Sequence, residues 1–179
     1  MTERVVPLEE TSGGLRRPPP QLAFDPAPLG AWMAANVPGF AGPINVLQFA
    51  GGQSNPTFLI ETPTRRYVMR RKPPGKLLPS AHAVEREYRV IAALGATRVP
   101  VARAYGLCED ISVIGSAFYI MEYVQGRIFW DAALPEVPPA GRRAVYLEMI
   151  RVLAELHSVD YQAVGLGDYG KPDHYIERR

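Results

Sequence analysis

The chain has 179 residues, of which 47% are hydrophobic and 21% are charged, and its formal net charge is +2. This balance is typical of a globular protein, and so small a charge with no block of Lys and Arg argues against nucleic-acid binding. A single cysteine, Cys108, excludes an internal disulfide framework and a cysteine-based zinc site. The sequence shows no targeting signal and no apolar run long enough to span a membrane, so we expect a cytoplasmic protein without a membrane partner.

The first half of the chain predicts a short helix followed by three strands. Residues 1–24 are rich in Pro, Gly and charge, and we expect them to form a flexible lead-in. Asp25 followed by Pro26 is a typical helix start, and the helix should end near Val37. Three strand-like stretches separated by short turns then predict an antiparallel meander over 44–50, 57–61 and 66–71.

The second half predicts a helix, two strands and a longer helix. The first helix is expected over 81–94 with Ser80 as its N-cap, and the strands over 104–108 and 117–124. The last helix, 141–158, has an apolar stripe that we expect to be poorly covered, formed by Val145, Met149, Val152 and Leu156. This order predicts an α+β fold in which a helix packs on a small antiparallel sheet.

A glycine-rich segment joins the first two predicted meander strands. It comprises Gly51, Gly52, Gln53, Ser54 and Asn55. Glycines let backbone N–H groups approach and bind a polyanion, and the side chains of Ser54 and Asn55 add further donors. A hairpin turn that needs positive φ at a glycine explains the same residues, and spacing alone leaves both interpretations open. Gly75 and Lys76 do not end a Walker loop, because the first glycine of that motif would have to be at position 70, which is Arg70. A dinucleotide-binding fingerprint is also excluded, because no G-x-G-x-x-G lies between a strand and a helix.

One carboxylate, Glu87, falls on the apolar face of the helix predicted over 81–94. A carboxylate packed against apolar residues is costly unless a cation meets it. The preceding strand offers Arg70 on one face and Arg71 on the other. The periodicity leaves two possibilities open, an ion pair with one of these arginines or a position at the edge of the stripe where Glu87 reaches water.

These features occur in the order of a protein-kinase-like N-lobe, and the chain resembles the aminoglycoside phosphotransferase and choline-kinase-like family. Within it, the chain looks most like the domains associated with acyl-CoA dehydrogenases. The resemblance is carried by GGQSNPTFLI, RYVMRRKPPGKLLPSAHAVEREYRVIAAL, VPVARAYGLCED, FYIMEYVQGRIFW and LHSVDY, which lie within residues 44–161. It implies an N-lobe of a five-stranded antiparallel sheet plus one helix over 25–124, then a hinge and the incomplete start of a helical C-lobe over 125–179.

The resemblance also implies an ATP site. The segment 51–55 would cover the phosphates, and Arg70 would take the place of a phosphate-binding lysine with Glu87 as its partner on the helix. The backbone at Glu122 and Val124, in the hinge sequence MEYV, would hydrogen-bond the adenine edge. ATP and a hydroxylated small-molecule acceptor would be the ligands.

The catalytic loop of this family has no counterpart in the sequence. Phosphoryl transfer in this class needs a catalytic Asp, an Asn for the metal and a second Asp on Mg²⁺. The last asparagine is Asn55, and no histidine is followed two residues later by an aspartate. We therefore expect no catalytic residue and no metal ligand here, although Mg²⁺ is expected for complete family members. The chain would be the ATP-binding part of a small-molecule kinase, truncated before the catalytic loop and lacking its C-lobe. The alternatives are a non-catalytic nucleotide-binding or regulatory module and one half of a split kinase.

Overall fold

The computed structural model describes residues 14–50, 55–75 and 82–170. The chain divides into two units, each described by itself. The sheet unit comprises Met1–Tyr88 and Ala102–Gln125, and the helical unit comprises Arg89–Val101 and Gly126–Arg179.

The sheet unit contains a six-stranded antiparallel sheet. Its strands in chain order are β1 (Leu15–Arg16), β2 (Asn45–Phe49), β3 (Thr57–Glu61), β4 (Arg66–Arg71), β5 (Ala104–Cys108) and β6 (Phe118–Glu122). Their order across the sheet is β1-β2-β3-β4-β6-β5. The predicted meander is confirmed by the antiparallel pairing of β2 with β3 and of β3 with β4.

The predicted count of five strands is one too low, because the short strand β1 adds to the sheet edge. Strand β1 lies in the segment that was expected to be a flexible lead-in, and it pairs with β2. The Ala50 N–H also donates to the Gly14 carbonyl at 2.9 Å. The prolines at positions 18–20 of this segment lie beyond β1, so they remove none of its backbone donors.

Helix α1 (Pro26–Asn36) packs on one face of the sheet. As predicted, Asp25 caps it, accepting a hydrogen bond from the Ala27 N–H at 2.9 Å. The core between helix and sheet contains Leu29, Met33, Phe58, Ile60, Tyr67, Met69, Cys108, Phe118 and Ile120. Trp32 of α1 meets Phe118 edge to face at 5.0 Å between ring centroids. A Cβ on Gly106 would lie only 3.0 Å from the Trp32 ring, so the missing side chain at Gly106 leaves room for this ring.

Helix α2 (Val84–Leu94) begins three residues later than predicted. The reason is His82, whose φ of 58° lies in the left-handed region and interrupts a right-handed helix. Ser80, the predicted cap, lies outside the described residues. The first turn of α2, up to Tyr88, belongs to the sheet unit, and the remainder belongs to the helical unit.

The longest helix, α3 (Pro139–His157), lies in the helical unit and contains no buried residue. Of the four residues expected to be poorly covered, Met149 and Leu156 are 57% and 41% exposed, whereas the two valines are intermediate. Further exposed apolar residues on α3 are Tyr146, Leu147, Ile150 and Leu153. Among the described residues, no helix is both long and apolar enough to cross a membrane.

Candidate functional site

Strand β4 carries adjacent arginines on opposite faces of the sheet, as its alternation predicts. Arg71 faces the core and is only 3% exposed. Its Nε donates to Ser116 Oγ at 2.9 Å, and its guanidinium lies 5.3 Å from the centre of the Phe24 ring. Burial lowers the pKa of Arg71. Arg71 is thus held within the core, and Arg70 is the arginine that meets α2.

Arg70 forms the predicted ion pair with Glu87. Its Nε lies 2.9 Å from Glu87 Oε2, and its Nη2 donates to Oε1 at 3.4 Å. The Nε–H is not aligned with the oxygen as a hydrogen bond, so the shorter contact is an ion pair only. The two side chains are 31% and 33% exposed. The partly buried pair is therefore confirmed, and Glu87 reaches water with only a third of its side chain.

Two more side chains donate to the same carboxylate. Asn55 Nδ2 donates to Glu87 Oε1 at 2.6 Å, and Tyr119 Oη donates to Oε2 at 3.1 Å. Burial, together with the negative charge of Glu87, raises the pKa of Tyr119 well above its ordinary value. The phenol therefore stays protonated and keeps its donor. Residues from three strands or their flanks thus hold one carboxylate of α2.

A second ion pair lies close by and joins the end of β4 to the first turn of α2. Lys72 Nζ lies 2.8 Å from Glu85 Oε1. Burial raises the pKa of Glu85, but the hydrogen bond from Lys72, a backbone hydrogen bond and the charge of Lys72 together lower it below its ordinary value. The strand and the helix are thus joined by two ion pairs, Arg70–Glu87 and Lys72–Glu85.

The face of the sheet that carries Arg70 also carries an apolar row. Residues opposite one another in antiparallel strands share a face, and the register pairs Leu47 with Leu59, Leu59 with Val68 and Val68 with Met121. Leu59 and Val68, at the centre of the row, are 2% and 8% exposed. Arg70 and this apolar row therefore lie side by side on one face of the sheet, with the outer members Leu47 and Met121 only partly buried.

The predicted hinge residues come directly after Met121, the member of this row on β6. Glu122 ends β6, and its N–H already donates to the Arg103 carbonyl at 2.8 Å. This N–H is therefore already engaged by the protein itself. Val124 lies two residues further on and is 64% exposed. Of the glycine-rich segment, only Asn55 is described, and Gly51, Gly52, Gln53 and Ser54 lie outside the described residues.

The side chain of Asn55 differs from the simplest expectation for that segment. It was expected to add a donor for a polyanion, yet Asn55 is 5% exposed and its amide is directed at Glu87. Its Oδ1 lies 3.1 Å from His82 Nδ1. Sequence reasoning missed the contact of Tyr119 with Glu87 and that of His82 with Asn55. Neither contact follows from the periodicity of a single strand or helix.

The carboxylates of the helical unit hold its own loops together. Asp168 forms an ion pair with Arg89, and each partner shifts the other's pKa, lowering that of the acid and raising that of the arginine. Asp160 accepts hydrogen bonds from the N–H groups of Gln162 and Ala163 in a turn. Among the residues that the structure describes, no three His, Cys, Asp or Glu side chains lie together as metal ligands.

Comparison with known proteins agrees with this geometry. A family model described as the phosphotransferase enzyme family matches residues 45–179. The chain belongs to the phosphotransferase enzyme family. A solved structure from Ralstonia eutropha, described as a "putative aminoglycoside phosphotransferase", superposes on this family member with a TM-score of 0.76 and 59% sequence identity. The match covers 87% of the chain and 45% of that protein. The kinase-like arrangement of sheet and helix is therefore confirmed.

Curated relatives add the second part of the resemblance. This phosphotransferase family member is 51% identical over 164 residues to "Probable acyl-CoA dehydrogenase IBR3" from Arabidopsis thaliana, covering 87% of the chain and 20% of the relative. It is 48% identical over 163 residues to "Acyl-CoA dehydrogenase family member 11" from Gallus gallus, covering 89% and 21%. The predicted similarity to domains associated with acyl-CoA dehydrogenases is confirmed. The chain spans about a fifth of the length of these relatives.

Proposed function

We propose that this chain is the ATP-binding part of a phosphotransferase that phosphorylates a hydroxyl group of a small molecule. The observation that carries the proposal is the position of Arg70. Its guanidinium is held by Glu87, and Arg70 lies on the same sheet face as the apolar row, two residues along β4 from Val68. Arginine offers planar, paired donors that match phosphate oxygens. The partly exposed members of the row, Leu47 and Met121, offer apolar surface of the kind that suits a purine ring.

Each predicted site residue takes a part in this proposal. Backbone N–H groups of Gly51, Gly52, Gln53 and Ser54 would donate to the phosphates, as glycine-rich segments do for polyanions. The carbonyl of Glu122 and the N–H of Val124 would bind the adenine edge beside the apolar row. Glu87 would orient Arg70, and Asn55 would act through Glu87, since its side chain is directed there.

The proposal gives this chain a binding role and assigns it no step of phosphoryl transfer. Transfer requires an oriented acceptor hydroxyl and Mg²⁺ bridging the phosphates. The Asp, Asn and second Asp that this class uses have no recognisable counterpart in the sequence, whose last asparagine is Asn55. Groups that bind ATP equally in the ground and transition states do not speed the chemistry. We therefore expect ATP binding without turnover, which also fits the second candidate, a non-catalytic nucleotide-binding module.

The test compares two arginines of the same strand. Arg66 and Arg70 lie on one face of β4, and each pairs with a glutamate, since Arg66 Nε lies 3.3 Å from Glu61 Oε1. Titration with ATP should show that Arg70→Ala weakens binding by about 10- to 100-fold, the worth of a charge-assisted hydrogen bond. Arg66→Ala should bind as the unaltered chain does. Equal affinity of both variants, or no binding by the unaltered chain, would contradict the proposal.

A panel of hydroxylated small molecules tests the second part. Incubation of the chain with ATP, Mg²⁺ and each candidate acceptor should release no ADP above background. Steady ADP release that disappears in Arg70→Ala would show that the chain contains a catalytic site after all.

A further inference from the structure

A hydrogen-bonded chain of three side chains ends on the Glu87 carboxylate. Asn55 Nδ2 lies 2.6 Å from Glu87 Oε1, and Asn55 Oδ1 lies 3.1 Å from His82 Nδ1. Asn55 itself is 5% exposed. We propose that His82 is a positioning residue, which fixes the amide of Asn55 and through it the Arg70–Glu87 pair. The inference rests on the proposed function, because nucleotide affinity is the property that this pair would control.

The network determines which atoms donate. The Glu87 carboxylate faces the Arg70 guanidinium and accepts hydrogen bonds, so the Asn55 atom next to it must be the NH₂ group. The Asn55 carbonyl then faces His82 and can only accept. His82 must therefore carry a proton on Nδ1.

The backbone conformation at His82 further limits which residue types can occupy position 82. Its φ of 58° is left-handed, a conformation that Asn, Asp and His tolerate better than other residues with a side chain. Its carbonyl accepts from the Val84 N–H at 2.9 Å, where α2 begins. Position 82 thus needs a left-handed backbone and a donor at the δ position of the side chain. Asn and His meet both requirements, whereas Asp meets only the first.

Loss of the donor should act on Arg70 at a distance. Without His82, no other side chain among the described residues is seen to face the buried Asn55 carbonyl with a donor, and rotation of the amide would turn its oxygen toward the Glu87 carboxylate. Either outcome weakens the hold on Glu87, which aligns the Arg70 guanidinium. The predicted consequence is weaker nucleotide binding without any direct contact between His82 and the nucleotide.

The experiment uses three substitutions of one residue. His82→Asn keeps the donor and the left-handed backbone, His82→Asp keeps the backbone and replaces the donor with a charge, and His82→Gly keeps the backbone alone. We expect His82→Asn to bind ATP as the unaltered chain does. His82→Gly and His82→Asp should bind about two- to tenfold more weakly, as expected for one net hydrogen bond. If only His82→Asp is weak, the effect is one of charge and the inference is wrong.

A second measurement needs neither nucleotide nor variant. Nitrogen-15 NMR of the unaltered chain in alkaline buffer, where imidazoles are neutral, should show the His82 proton on Nδ1. A proton on Nε2 overturns the inference.

If the unaltered chain binds no ATP, the proposed function fails and the inference fails with it. If it binds ATP and His82→Gly and His82→Asn bind equally well, only the inference fails.

Discussion

The sheet unit and the helical unit use the same apolar residue types in opposite ways. Met69 and Ile120, on the sheet, are 0% exposed, while Met149 and Ile150, on α3, are each 57% exposed. The sheet has α1 packed on one of its faces, whereas α3 has no buried residue. Apolar periodicity therefore identifies a face that can be buried, and a second element is needed to bury it.

The two methionines give the sharpest test of this comparison, with the largest expected effect. Met69→Ala removes a buried side chain from the core and should lower the free energy of unfolding by about 2–5 kcal/mol. Met149→Ala changes a side chain that is 57% exposed and should change it by about 0.5 kcal/mol or less. Urea unfolding measures both. Similar losses for the two variants would show that α3 is covered in solution.

The two units can also be compared through their ion pairs, where we expect a smaller loss in the free energy of unfolding. Glu87→Ala would remove the acceptor of Arg70, Asn55 and Tyr119, and should cost about 1–3 kcal/mol because Asn55 and Tyr119 are buried donors. The control is Glu148→Ala on α3, which removes the exposed partner of Arg151 and should have no measurable effect on unfolding. A neutral Glu87→Ala would show that the three donors find other acceptors.

The pH dependence of stability isolates Tyr119. Its pKa is raised in the folded chain, so above the ordinary value of about 10 the unfolded chain loses this proton first. Stability should therefore fall as pH rises past that point, by at most about 1.4 kcal/mol per pH unit from this residue. Tyr119→Phe should reduce the slope between the ordinary and the raised pKa. An unchanged slope in urea unfolding at alkaline pH would contradict the burial of this phenol.

The smallest effect on stability is expected for the exposed face of α3. Leu153, which is 48% exposed, can be replaced by Ser at a cost of about 0.5 kcal/mol or less. The same change should reduce the fluorescence of a hydrophobic dye bound to the chain, because it removes part of an apolar surface. Dye fluorescence that is absent from the unaltered chain would show that this surface is closed in solution.

The sequence by itself determined the elements whose signals are local. The strands Thr57–Glu61, Arg66–Arg71 and Ala104–Cys108 have the bounds that were predicted, and Asp25 caps α1 as expected. Periodicity also indicated that Glu87 could pair with an arginine of the preceding strand, because a carboxylate on an apolar helix face demands a cation, and the family resemblance implied that this arginine is Arg70. Family membership followed from several motifs in register.

Only the tertiary structure decided the features that depend on residues distant in the chain. The pairing of β1 with β2, the late start of α2 and the selection of Arg70 over Arg71 each depend on a partner surface that no local pattern shows. The roles of Tyr119 and His82 belong to the same class. Their hydrogen bonds span 32 and 27 residues, and such contacts arise only when the sheet brings strands and helix start together.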